Sequence, residues 1–215
     1  MTALPSLLMD PSLYDGGIPA RISSLANARD YEAAFDQVRA YSQEVAPLMW
    51  VGAQAAAGIL TSFEDTPSER DAILAQLRAR NTTVIVCCCD EGPHARRYAA
   101  DGIQYADALL SDGSCEAIAA SAPAFFALVE RSYPLVAAAH ARGESVLVHC
   151  NSGMHRSASV ALGLLMVLQR AEGAEGLARV FASAVRKRAV IRPTFWPLLE
   201  STEFAELAER LRALA

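Results

Sequence analysis

Residues 145–162, SVLVHCNSGMHRSASVAL, constrain the fold of this chain more than any other stretch. Ser145–His149 is a short apolar run with two valines, which predicts a buried strand. Ser157–Leu168 is apolar, rich in small residues and free of proline, which predicts a helix. Only a tight loop separates them. The backbone N–H groups of such a loop and of the first helical turn have no partner within the helix and point inward. Together they form a nest for an anion of phosphate size. Gly153 supplies the backbone freedom that this curl needs.

Two side chains make the cradle reactive. Cys150 sits where the field of the helix N-terminus is most positive. Such a field, with a nearby cation, lowers a thiol from near pH 8.5 to roughly 3.5–7.5, and the thiolate is the nucleophile. Arg156 lies on the closing side of the loop. Its guanidinium fork matches two phosphate oxygens and stays charged at any working pH. Charge gathers on the equatorial oxygens during phosphoryl transfer, where the arginine and the N–H donors can meet it.

The run HCNSGMHRS resembles the HCxxGxxRS signature of the cysteine-dependent protein phosphatases, most closely the dual-specificity branch. The resemblance extends more weakly over about residues 45–200. It implies that Cys150 accepts the phosphoryl group, that Arg156 clamps it and that the Ser157 hydroxyl helps the sulfur leave. It also implies that His149 helps to hold the thiolate, and that Asn151, Ser152, Gly153, Met154 and His155 line the phosphate beside Arg156.

The reaction also needs a proton for the leaving oxygen and then a base for water. In the family this acid follows a G-x-x-Y-x-x-x-x-x-x-D pattern. Gly102, Tyr105 and Asp112 fall on it. Asp107 is the rival, five residues earlier and within the strand. The small Ala108 departs from the bulky residue that the family favours.

At 215 residues the chain can bury a sizeable core, and about half of it is apolar. The net charge of −5 argues against a general nucleic-acid binder, which needs a basic face. Five cysteines, three of them consecutive at Cys87–Cys89, form neither a disulfide framework nor a zinc spacing. A reducing, cytoplasmic compartment is therefore expected. The N-terminus does not read as a secretory signal, and no run is long enough to span a membrane.

In chain order, residues 1–27 read as an irregular arm and Asp30–Val45 as a helix. Pro47–Ala53 reads as a strand, Thr66 to about Arg80 as a capped helix and Thr82–Cys89 as a central strand. A strand within Gly102–Asp112 is followed by a helix over Ser121–Arg142, with a kink or split near Arg131–Tyr133 caused by Pro134. After the loop come helices over Ala158–Arg170, about Leu177–Arg186, and from Pro193–Leu199 onward, with Gly173–Gly176 as a separator. The expected fold is α/β: a central, mostly parallel sheet of about four to five strands flanked by helices, of the protein tyrosine phosphatase type. Residues 1–45 would be an N-terminal arm and helix, and 46–215 the catalytic unit.

The resemblance implies a phosphatase for phosphotyrosine, phosphoserine and phosphothreonine in protein substrates, working through a phosphocysteine with no metal or other cofactor. A phosphoinositide or other non-protein phosphatase is the alternative, disfavoured because the loop lacks lysines. His155 is the one loop residue that can become cationic at mildly acidic pH. A non-catalytic phosphate-binding module ranks last, since Cys150, Arg156 and Asp112 are all present. Some relatives carry a second cysteine that traps the oxidised nucleophile. Cys88 or Cys89 is either that residue or a packing thiol.

Overall fold

The computed structural model describes residues 42–53, 67–89, 99–111, 115–151, 153, 155–184 and 195–214. Asp112, Ser152, Met154, the arm and the expected helix up to residue 41 lie outside them. The described strands are β1 (Ser42–Ala46), β2 (Met49–Ala53), β3 (Thr82–Cys87), β4 (Gln104–Asp107) and β5 (Ser145–Cys150). The described helices are α1 (Pro67–Ala79), α2 (Cys115–Ala120), α3 (Ala122–Ala141), α4 (Arg156–Leu168), α5 (Gly173–Ala184), α6 (Trp196–Glu200) and α7 (Thr202–Ala213).

The strands form one sheet in the order β1-β2-β5-β3-β4. β5 lies at its centre, parallel to β2 on one side and to β3 on the other, and β4 runs parallel to β3. Every residue of β5 is buried, as a strand covered on both faces requires. Alternation along the strands divides the core in two. Val84, Val86, Val146 and Val148 face the larger cluster, which holds Phe125 and Leu128 of α3, Leu164 of α4 and Phe204 of α7. Ile85 and Leu147 face the other side, against Leu74 and Leu77 of α1. The mostly parallel sheet with helices on both faces agrees with the sequence.

The first strand does not. Residues 42–45, expected to close a helix, form β1, which pairs antiparallel with β2 across a turn at Pro47-Leu48. The edge strand thus crosses the expected junction at 45/46. Leu48 takes φ +64, and its N–H donates to Glu44 Oε1 at 3.0 Å. Antiparallel pairing with β2 across the two-residue turn decides residues 42–45 instead.

Three further boundaries differ. Of the kink or split expected near Pro134, the split does not occur: α3 is one helix through that residue. Tyr133, Val136 and Ala139 on its buried face pack on the core, which offsets one missing hydrogen bond. Gly173 and Gly176 do not separate helices but lie in the first turn of α5. A Cβ at Gly176 would come within 2.9 Å of the Ala171 carbonyl carbon, so only glycine lets the chain fold back so closely. The terminal helix is two helices, broken at Ser201, whose Oγ accepts from Phe204 N–H as the cap of α7.

Candidate active site

The centre of the sheet delivers the reactive stretch. β5 ends at Cys150, and six residues later Arg156 begins α4. This helix is the most deeply buried one, with all its residues from Arg156 to Val167 inside. The His155 side chain makes no cap bond at its N-terminus, where the helix dipole favours an anion. Gly153 takes φ +70, the left-handed conformation expected of it.

The Cys150 and Ser157 side chains are both buried, with Sγ and Oγ 3.2 Å apart. Arg156 is only 7 % exposed, and its Nη1 donates to the Leu110 carbonyl at 3.1 Å. His149 is fully buried in β5, and its carbonyl accepts from the Cys88 N–H at 2.8 Å. Asn151 stands exposed beyond the strand end, and the described part of the loop continues at Gly153 and His155. Cys150, Arg156, Ser157, His149 and Asn151 thus come together at one sheet edge.

β4 and the chain after it run beside this edge. Asp107 stands in register with Cys87, which is itself in register with His149. Two strand spacings, about 10 Å, therefore separate Asp107 from His149. Its carbonyl accepts from Arg131 Nη2 at 2.5 Å. The chain then continues alongside β3, Ala108 N–H bonding Cys87 O at 3.0 Å and Leu110 N–H bonding Cys88 O at 3.4 Å. Leu110 itself is buried and presents its carbonyl to Arg156.

The three consecutive cysteines underlie the loop. Cys88 is fully buried. Burial, then the charges of the Cys150 and Cys89 sulfurs, raise its thiol well above the ordinary range, with Arg156 opposing. Cys89 Sγ donates to Asn151 Oδ1 at 2.8 Å. None of Cys87, Cys88, Cys89 and Cys150 is in a disulfide. Sequence reasoning missed the Leu110 carbonyl, since a main-chain acceptor leaves no trace in residue types. It also missed the bond from Cys89 to Asn151, although the triplet itself was visible. Among the described residues no group of three His, Cys, Asp or Glu could hold a metal ion, and no helix is long and apolar enough to cross a membrane.

No family model and no curated protein matches this chain. Solved structures do. DUSP15 superposes with a TM-score of 0.53 at 18% identity, covering 80% of this chain and 95% of its own. A mouse putative dual specificity phosphatase complexed with zinc tungstate gives 0.51 at 21%, covering 82% and 91%. The chain has the dual-specificity phosphatase fold. PTPMT1 in complex with PI(5)P shares this fold, with a TM-score of 0.50 at 15% identity over 81% of this chain and 98% of its own. The dual-specificity fold, with its parallel centre and covered faces, is the architecture expected from residues 145–162.

Proposed function

We propose that the protein is a phosphomonoesterase that hydrolyses phosphorylated side chains of proteins through a phosphocysteine. The observation that carries this reading is the Cys150 sulfur, 3.2 Å from the Ser157 hydroxyl, at the N-terminus of a buried helix that begins with Arg156.

The thiolate of Cys150 attacks phosphorus in line. An S–P bond forms and the P–O bond to the substrate side chain breaks. Asp112 donates its proton to the leaving oxygen. Asp112 is two residues beyond Leu110, which gives a reach of at most about 7 Å from that residue's Cα. Leu110 carries the carbonyl that holds Arg156. Asp107, in register two strands from His149, is the less favoured choice. The loop N–H groups and Arg156 hold the transferred group and meet its developing charge. Water then attacks phosphorus, Asp112 takes the proton, and the S–P bond breaks with the electron pair returning to sulfur. Ser157 donates to that sulfur as it leaves.

The test is hydrolysis of a generic aryl phosphate, inhibited by vanadate and indifferent to EDTA, with Cys150→Ser abolishing turnover. Activity that survives Cys150→Ser overturns the mechanism. Phosphopeptides compared with phosphoinositides decide the substrate class. The loop contains no lysine, which favours phosphopeptides.

A further inference from the structure

The thiols of Cys87 and Cys89 have no role in the reaction just described. They form a connected set. Cys87 Sγ donates to the Cys89 carbonyl at 2.7 Å, and Cys89 N–H donates back to Cys87 Sγ at 3.3 Å. This pins the backbone of Cys89 where β3 ends. Cys89, 6 % exposed, then donates its own thiol to Asn151 Oδ1 at 2.8 Å. Asn151 is exposed and follows the nucleophile directly. A carboxamide offers one oxygen to accept and two N–H groups to donate. With the oxygen turned to the thiol, the NH2 group is turned away from Cys89.

We propose that Cys89 is a positioning residue that orients the Asn151 carboxamide so that its N–H donors serve a substrate at the loop. This rests on the phosphatase reading for its substrate and deepens it by assigning what holds the first residue of the loop. Serine keeps a donor at this position and alanine does not.

The experiment compares Cys89→Ala, Cys89→Ser, Asn151→Ala and the double variant Cys89→Ala/Asn151→Ala in the full chain. Three readouts are taken: the kinetics of aryl phosphate hydrolysis, the affinity for vanadate, and the side-chain NH2 resonances of Asn151. Cys89→Ala is expected to raise KM and weaken vanadate about 3- to 10-fold, the size of one neutral hydrogen bond, with kcat within about 2-fold. Cys89→Ser is expected to restore both and to return the Asn151 resonances towards their wild-type positions. Asn151→Ala should match Cys89→Ala, and the double variant should be no worse than either, because both act through one contact.

Additive losses, a Cys89→Ser variant as impaired as Cys89→Ala, or Asn151 resonances unmoved by Cys89→Ala would each overturn the proposal. If Cys89→Ala folds poorly, Asn151→Ala, at an exposed residue, and Cys89→Ser still test the contact through KM, vanadate affinity and the Asn151 resonances. A wild-type protein that fails to hydrolyse aryl phosphate sinks the phosphatase reading. The resonances and vanadate affinity still decide the role of Cys89.

Discussion

The Cys150 Sγ and Ser157 Oγ lie 3.2 Å apart across the loop that joins β5 to α4. The hydroxyl can donate to sulfur when sulfur carries charge, and phosphocysteine breakdown regenerates that charge. Ser157→Ala should therefore slow the second step more than the first. The expected result is a kcat lower by about 10-fold or more, with a burst of released aryl alcohol before the steady state. Rapid-mixing kinetics at enzyme concentrations comparable to the burst check this. A lower kcat with no burst places the loss in the first step.

Asp112 and Asp107 are separable by the same assay. Asp112→Ala should lower kcat by about 10²- to 10⁴-fold on substrates with poor leaving groups, and less on aryl phosphates whose oxygen needs no proton. Asp107→Ala should leave kcat within a few-fold. The reverse pattern would move the acid to β4.

Cys88 makes the fold sensitive to alkali. Burial raises its thiol above the ordinary range, so the folded chain holds this proton more tightly than the unfolded chain does. The stabilisation is complete below the unfolded thiol value, about 8.5, and is lost as pH rises from there through the folded value. Denaturant midpoints should fall above about pH 8.5, and Cys88→Ala should flatten that fall. Equal slopes for both proteins would assign the loss to other groups.

His140, in the last turn of α3, acts at the opposite end of the scale. Its Nε2 is buried with no hydrogen-bond partner among the described residues, and burial lowers its pKa below the usual value. The folded state resists protonation, so this contribution is present above about pH 6.5 and is lost as pH falls through the folded value. Wild-type midpoints should drop below about pH 6.5 more steeply than those of His140→Gln. Chemical denaturation from pH 5 to 8 reads the difference.

Gly176 tests the close return of the chain into α5. Gly176→Ala would drive a Cβ to 2.9 Å from Ala171 main-chain carbon. Main chain yields less than a flexible side chain, and a loss of about 1–3 kcal/mol is expected. Thermal unfolding measures it. Gly143→Ala is the contrasting case: it meets a positive φ, which Gly176 does not have, and nothing within 4 Å, so it reads backbone strain without a clash.

Local chemistry determined much of this protein. The valine-rich run at 145–150, the glycine at 153 and the small-residue helix after it fix a strand, a curl and a helix from spacing alone, and β3 and α1 follow from the same period rules. Cys150, Arg156 and Ser157 belong to that one segment, so their proximity was legible before any fold was known. What tertiary structure decided lies between segments. Ser42–Ala46 became an edge strand because β2, just across the Pro47-Leu48 turn, offered it a ladder. The Leu110 carbonyl reached Arg156 across 46 residues of sequence, and the Cys89 thiol reached Asn151 across 62. Such contacts depend on strand order. Strand order follows from how β5 pairs on both edges and buries both faces, a property of the assembled sheet rather than of any stretch of chain.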